Sequence, residues 1–143
     1  MVDGVRLVGR LVSGQGVART FTRAEWARSA FMAAVGIDPY PGTLNLSVAD
    51  GPERAAWLAA RGRRGIVMAA PNAAFCDGRL FRATVSASGR PPIDGAVVVP
   101  MVAMYPEDQL EIIAAIGLRD ALGVADGDEL TVAVDLTGSR PVS

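Results

Sequence analysis

Two prolines and a glycine in Asp38-Pro39-Tyr40-Pro41-Gly42 stand directly ahead of an alternating Thr43-Leu44-Asn45-Leu46 run. Proline locks φ and glycine admits positive φ, so this stretch must turn sharply and feed a strand in one direction. A strand over 43–48 puts Leu44, Leu46 and Val48 on one face and Thr43, Asn45 and Ser47 on the other. A hydroxyl and an amide carbonyl then lie side by side as uncharged oxygens. That pair suits a hard cation such as Mg²⁺, which keeps several waters and takes further ligands from substrate phosphates. The same residues also describe a stiff turn into an ordinary half-buried strand, and spacing alone does not choose between the two.

Alternation recurs along the chain. Val5, Leu7 and Leu11 alternate with Arg6 and Arg10, and Phe81, Ala83, Val85 and Ala87 with Arg82, Thr84 and Ser86. Leu130, Val132, Val134 and Leu136 carry the clearest such pattern. Residues 66–69 read as a short strand, and 93–100 as a strand buried on both faces, in which Asp94-Gly95 marks a bulge or a close backbone approach. Asp94 is either a group supporting the cation or a turn-stabilising aspartate. In the strand at 110–114, Glu111 is the lone acid; it needs a buried partner unless it points outward from an edge. Helices are expected over 22–35, opened by the capping box Thr22-x-x-Glu25, over 52–61 behind Pro52 and Glu53, and over 118–122 before Gly123. Tyr105-Pro106-Glu107-Asp108 reads as a polar loop. Six or seven short strands with few helices predict a mainly β, closed or nearly closed barrel, one domain over 1–137 with a tail at 138–143.

The 143-residue chain contains no histidine, and all fourteen of its basic residues are arginine. Histidine-based nucleophilic triads and histidine-ligated zinc are therefore excluded, as are Walker A loops and lysine Schiff bases. Any phosphate must be held by arginine, backbone N–H groups or a metal. A net charge of −1 argues against nucleic acid as partner. A single cysteine, Cys76, rules out an intramolecular disulfide. No signal-peptide core precedes residue 5 and no apolar run approaches the roughly 20 residues that span a bilayer, so a cytoplasmic protein without a membrane partner is expected.

The segment Pro39-Tyr40-Pro41-Gly42-Thr43-Leu44-Asn45-Leu46 resembles the PY-x-GTLNL signature of the archaeal-type, CTP-dependent riboflavin kinases. Val12-Ser13-Gly14-Gln15-Gly16, Ile93-Asp94-Gly95-Ala96-Val97-Val98-Val99-Pro100, Leu110-Glu111-Ile112-Ile113-Ala114 leading to Leu118-Arg119, and a closing Asp126-Gly127-Asp128 match in the family's order. The resemblance implies a six-stranded cradle-loop barrel with two or three peripheral helices. It implies phosphoryl transfer from CTP to the ribityl 5′-hydroxyl of riboflavin, giving FMN and CDP in an Mg²⁺-dependent reaction, by a monomer. Thr43 and Asn45 take the metal positions. Gly14, Gln15, Gly16, Val17, Ala18, Arg19 and Thr20 form the loop expected to hold the nucleotide, with Ile116, Gly117, Leu118 and Arg119 at the base. Ala103 and Glu111 take the flavin positions, and Glu111 is also the candidate to orient or deprotonate the attacking hydroxyl.

The chain departs from the family's pattern at several of these positions. Ala18 stands where a glycine is expected and Thr20 where an aromatic is. Ala103 replaces a flavin-contacting threonine, Ala115 a usual proline and Gly117 a common lysine. A relative using another nucleotide or alcohol, a non-catalytic flavin- or nucleotide-binding barrel, and a DNA-binding relative of the barrel are the alternative readings.

Overall fold

The structure, a computed structural model, describes residues 3–13 and 24–137. The elements run β1 (Gly4–Leu11), α1 (Glu25–Val35), β2 (Leu44–Val48), α2 (Pro52–Arg61), β3 (Ile66–Met68), β4 (Gly78–Ser86), β5 (Ile93–Pro100), β6 (Gln109–Ile113), α3 (Leu118–Leu122) and β7 (Glu129–Asp135). Strands β4, β5, β6, β2, β1 and β7 pair in that order, and β7 returns to β4, closing a six-stranded barrel. Every pairing is antiparallel. β4 is long enough to serve three neighbours: Gly78–Leu80 also pair with β3, while Ala83–Ser86 pair with β7. β3 is thus a spur on the barrel, which accounts for the seventh strand.

The alternation in the sequence maps onto an inside and an outside. Leu7, Leu46, Val85, Val97, Ile112 and Val132 fill the barrel with other buried residues. On β5 the intervening Ala96 and Val98 are buried too, because they form a second core with Phe31 and Ala27 of α1, together with Leu80 and Ile113. That outer layer is why the strand is apolar on both faces. At Gly95 the expected close approach is present: a Cβ there would sit 2.6 Å from the Ile113 carbonyl oxygen. The register of β5 on β4 runs unbroken from Gly78↔Pro100 to Val85↔Ile93, so Gly95 is no bulge.

Helix α1 corrects one boundary. Ala24 is extended and forms its N-cap without a side-chain hydrogen bond, so the helix starts at Glu25 rather than at 22; Thr22 lies outside the described residues. Gly36 ends it in the left-handed region, with its N–H on the Met32 carbonyl. Pro52 opens α2 as expected. No helix among the described residues is long and apolar enough to cross a membrane.

Candidate functional site

The proline turn delivers the chain into β2 as its residues dictate. Leu44, Leu46 and Val48 join the barrel core, which forces Thr43 and Asn45 to the opposite face. There the Thr43 hydroxyl lies 3.0 Å from Asn45 Oδ1, so the two neutral oxygens are neighbours. β2 pairs with β6 in the register Asn45↔Glu111, which sets the acid directly across from the amide. Thr43 Oγ1 is 3.3 Å from Glu111 Oε1. These three side chains form one cluster, and its donor set of uncharged oxygens beside one carboxylate fits a hard cation with open positions.

Glu111 is not on an edge. β6 lies between β5 and β2, and the Glu111 side chain is wholly buried. Its partner is Tyr105, whose hydroxyl donates to Glu111 Oε2 at 2.5 Å. The segment 105–108 is therefore no simple polar loop, since Tyr105 is itself buried. Burial, then the neighbouring Glu111 carboxylate and the bond to it, push the phenol above its ordinary range, with Arg61 pulling weakly the other way. The phenol accordingly stays protonated and acts as a donor.

Helix α2 fixes this segment. Arg61 donates to the Tyr105 and Pro106 carbonyls at 2.9 Å each, and its guanidinium carbon sits 5.2 Å from the Tyr105 ring centroid. Ser47 Oγ donates to Asp108 Oδ2 at 2.9 Å, tying the same segment to β2. Just before Tyr105, Met104 adopts a left-handed φ of 61° and is 96 % exposed. That turn sends the Met104 side chain outward and the next one inward. Ala103 lies in the exposed stretch ahead of it, two residues from Tyr105.

Beside Thr43 opens a cleft of about 260 Å³ lined by Tyr40, Gly42, Thr43, Ile116, Gly117 and Arg119, among others. Thr43 and the 116–119 segment thus line one cavity. A Cβ on Gly117 would meet the Tyr40 ring at 3.3 Å, so the glycine gives that ring room. Arg119 does not pair with its sequence neighbour Asp120. It donates to Asp126 Oδ1 at 2.7 Å, and Ser13 Oγ donates to Asp126 Oδ2. Ser13 first, then Arg119, hold the Asp126 carboxyl below the usual carboxylate range. Asp126 thereby joins Ser13 to the 116–119 segment. Val12 N donates to the Asn45 backbone carbonyl at 3.0 Å, which ties the end of β1 to β2 beside the cluster. Gly14, Gln15, Gly16, Val17, Ala18, Arg19 and Thr20 themselves lie outside the described residues.

Size does not mark the chemistry here. A larger cavity of about 880 Å³ lies between the end of α1 and strands β1, β4, β5 and β7, and holds none of Thr43, Asn45 or Glu111. Asp94 lines that cavity, apart from the cleft that holds Thr43, so the idea that it supports the cation finds no place in the geometry. Tyr105, Arg61 and Asp126 are the contributors that residue patterns did not single out for a role. The one available signal was Glu111 itself, since a buried acid demands donors.

Residues 11–134 match a family model named CTP-dep_RFKase and described as a domain of unknown function, DUF120. A protein named riboflavin kinase from Archaeoglobus fulgidus is 34 % identical over 137 residues, covering 92 % of this chain and 55 % of the relative. Riboflavin kinases of Pyrobaculum arsenaticum and Methanoregula boonei are 34 % and 36 % identical, covering 93 % and 90 % of this chain and 62 % and 56 % of their own lengths. The chain thus spans little more than half the length of these curated relatives.

Proposed function

Because the chain belongs to the CTP-dep_RFKase family, we propose that it transfers the γ-phosphoryl group of CTP to the ribityl 5′-hydroxyl of riboflavin, releasing CDP and FMN. The observation that carries this reading is Thr43, hydrogen-bonded to Asn45, lining one cleft with residues 116–119. It gives phosphates and a base a shared wall. The 5′-oxygen forms its bond to the γ-phosphorus as the bond to the CDP oxygen breaks, and the hydroxyl proton is released. Such a transfer is mostly positioning and charge neutralisation.

Thr43 Oγ1 and Asn45 Oδ1 would hold Mg²⁺, which when bound neutralises charge across the phosphates. The chain's own residues do the rest. Arg119, fixed by Asp126, stands at the cleft where the base would lie. The 14–20 loop springs from Ser13, and in this reading its backbone N–H groups and Arg19 take the triphosphate. Ala103 and Glu111 are the positions assigned to the flavin side. Lacking the threonine hydroxyl, Ala103 should leave flavin binding weaker by a hydrogen bond, about 0.5–1.5 kcal/mol.

The test is to incubate the protein with riboflavin, Mg²⁺ and either CTP or ATP and to follow FMN by chromatography. FMN formed faster with CTP supports the reading. Its absence with both nucleotides, or a clear preference for ATP, overturns the activity or the nucleotide assignment respectively. Alanine at Thr43 or Asn45 is expected to abolish Mg²⁺-dependent turnover while the melting temperature holds.

A further inference from the structure

Glu111 holds an unusual position for a group meant to meet a substrate: its side chain has no exposed surface, and both carboxylate oxygens already face hydroxyls. Lacking any exposed surface, that carboxylate is out of reach of an incoming alcohol in this structure. What it can do is direct the groups it touches. The Thr43 hydroxyl has one proton, and its two acceptors within reach are Asn45 Oδ1 and Glu111 Oε1. When that proton points to Glu111, the lone pairs of Thr43 can face a cation and the proton does not lie on Asn45 Oδ1. When it points to Asn45, it occupies the oxygen the cation needs.

We infer that Glu111 is a positioning residue that turns the Thr43 hydroxyl, and that Tyr105, clamped by Arg61, fixes the carboxylate for that task. The inference rests on the proposed metal role of Thr43 and Asn45 and gives Glu111 a different role from that of a base. The chain of contacts is continuous: Arg61 on α2 grips the Tyr105 and Pro106 carbonyls, Tyr105 donates to Oε2, and Oε1 faces Thr43. An acceptor for the hydroxyl proton also turns the Thr43 lone pairs toward the metal, as outer partners of metal-binding groups generally do. The left-handed backbone of Met104 supports a built device, because that turn brings the phenol inward at a conformational cost.

The experiment uses Mn²⁺ as the probe, its binding read by electron paramagnetic resonance with saturating CDP, alongside CDP binding without metal and thermal melting. Tyr105→Phe keeps the ring beneath Arg61 and removes only the donor, and Glu111→Gln keeps the shape and removes the charge. Both are expected to weaken Mn²⁺ binding about tenfold, within the range for lost outer partners of metal ligands. CDP affinity without metal should not move. The double variant should bind Mn²⁺ no worse than the weaker single one, because the two residues act in one chain. Unchanged Mn²⁺ affinity in folded Tyr105→Phe or folded Glu111→Gln overturns the inference, as do additive losses, even if melting falls. Failure of the kinase reading is separable: a protein that forms no FMN but shows the linked Mn²⁺ losses keeps the device and loses only the reaction.

Discussion

Replacing Gly95 by alanine tests how strands β5 and β6 hold the site. An alanine Cβ would sit 2.6 Å from the Ile113 carbonyl oxygen and 3.4 Å from Ile112 Cγ2. The first contact is shorter than the 3.0 Å that real Cβ atoms keep, and its partner is backbone, so no side chain can swing away. The strands must part, and they are joined only through the neighbouring pairs Ala96↔Ile113 and Val97↔Ile112. Overpacking of this kind costs about 1–3 kcal/mol. The lost flexibility of glycine in the unfolded chain offsets about 0.4–1 kcal/mol of that. A net loss of about 1–2 kcal/mol lowers the melting temperature of a domain this size by roughly 3–8 °C. Since Glu111 lies two residues before Ile113 on β6, turnover should fall as well, by more than the unfolded fraction explains. Circular dichroism melting beside the FMN assay reads both. A variant that melts within about 1 °C of wild type would mean that the close approach imposes no strain and the reasoning fails.

Two further outcomes are expected. Ala103→Thr should lower the riboflavin KM about two- to tenfold by restoring a hydroxyl at the flavin position, with the CTP KM unchanged; an equal change in both would refute a flavin-side role. Asp126 has its folded pKa held below the ordinary 3.8, so its pairing stabilises the protein fully above that value and the contribution fades as pH falls through the lower folded value. The stability gap between wild type and Asp126→Asn, measured by urea unfolding, should therefore close in acid and shrink with added salt, and a gap that widens in acid would contradict the assignment.

Much of this architecture was legible in residue order because burial imposes period two on a strand. The Leu44-Asn45-Leu46 run gave up its core-facing leucines and an amide on the opposite face directly, and Pro52 and Gly123 marked helix ends through their backbone preferences. Which strands close the ring was not readable from periodicity, since the β4–β7 pairing joins Ala83 to Val134 across some fifty residues. The capping box at Thr22 placed the helix start at 22, yet Ala24 takes the cap, since such patterns fix the presence of a helix better than its first residue. That Thr43 and Asn45 are neighbours was legible because they stand two apart on the run into one strand. Tyr105 was not, because its bond to Glu111 comes from a left-handed turn at Met104 that no hydrophobic pattern encodes. Arg61 was likewise legible only as the last residue of a helix; its hydrogen bonds to the Tyr105 and Pro106 carbonyls join segments over forty residues apart.

The most direct measurement is a crystal structure of the protein with CDP and Mg²⁺. The ion should lie about 2.1 Å from both Thr43 Oγ1 and Asn45 Oδ1, with phosphate oxygens and waters completing its octahedron. An ion bound away from these two oxygens, with the Thr43 hydroxyl still on Asn45 Oδ1, would contradict the account.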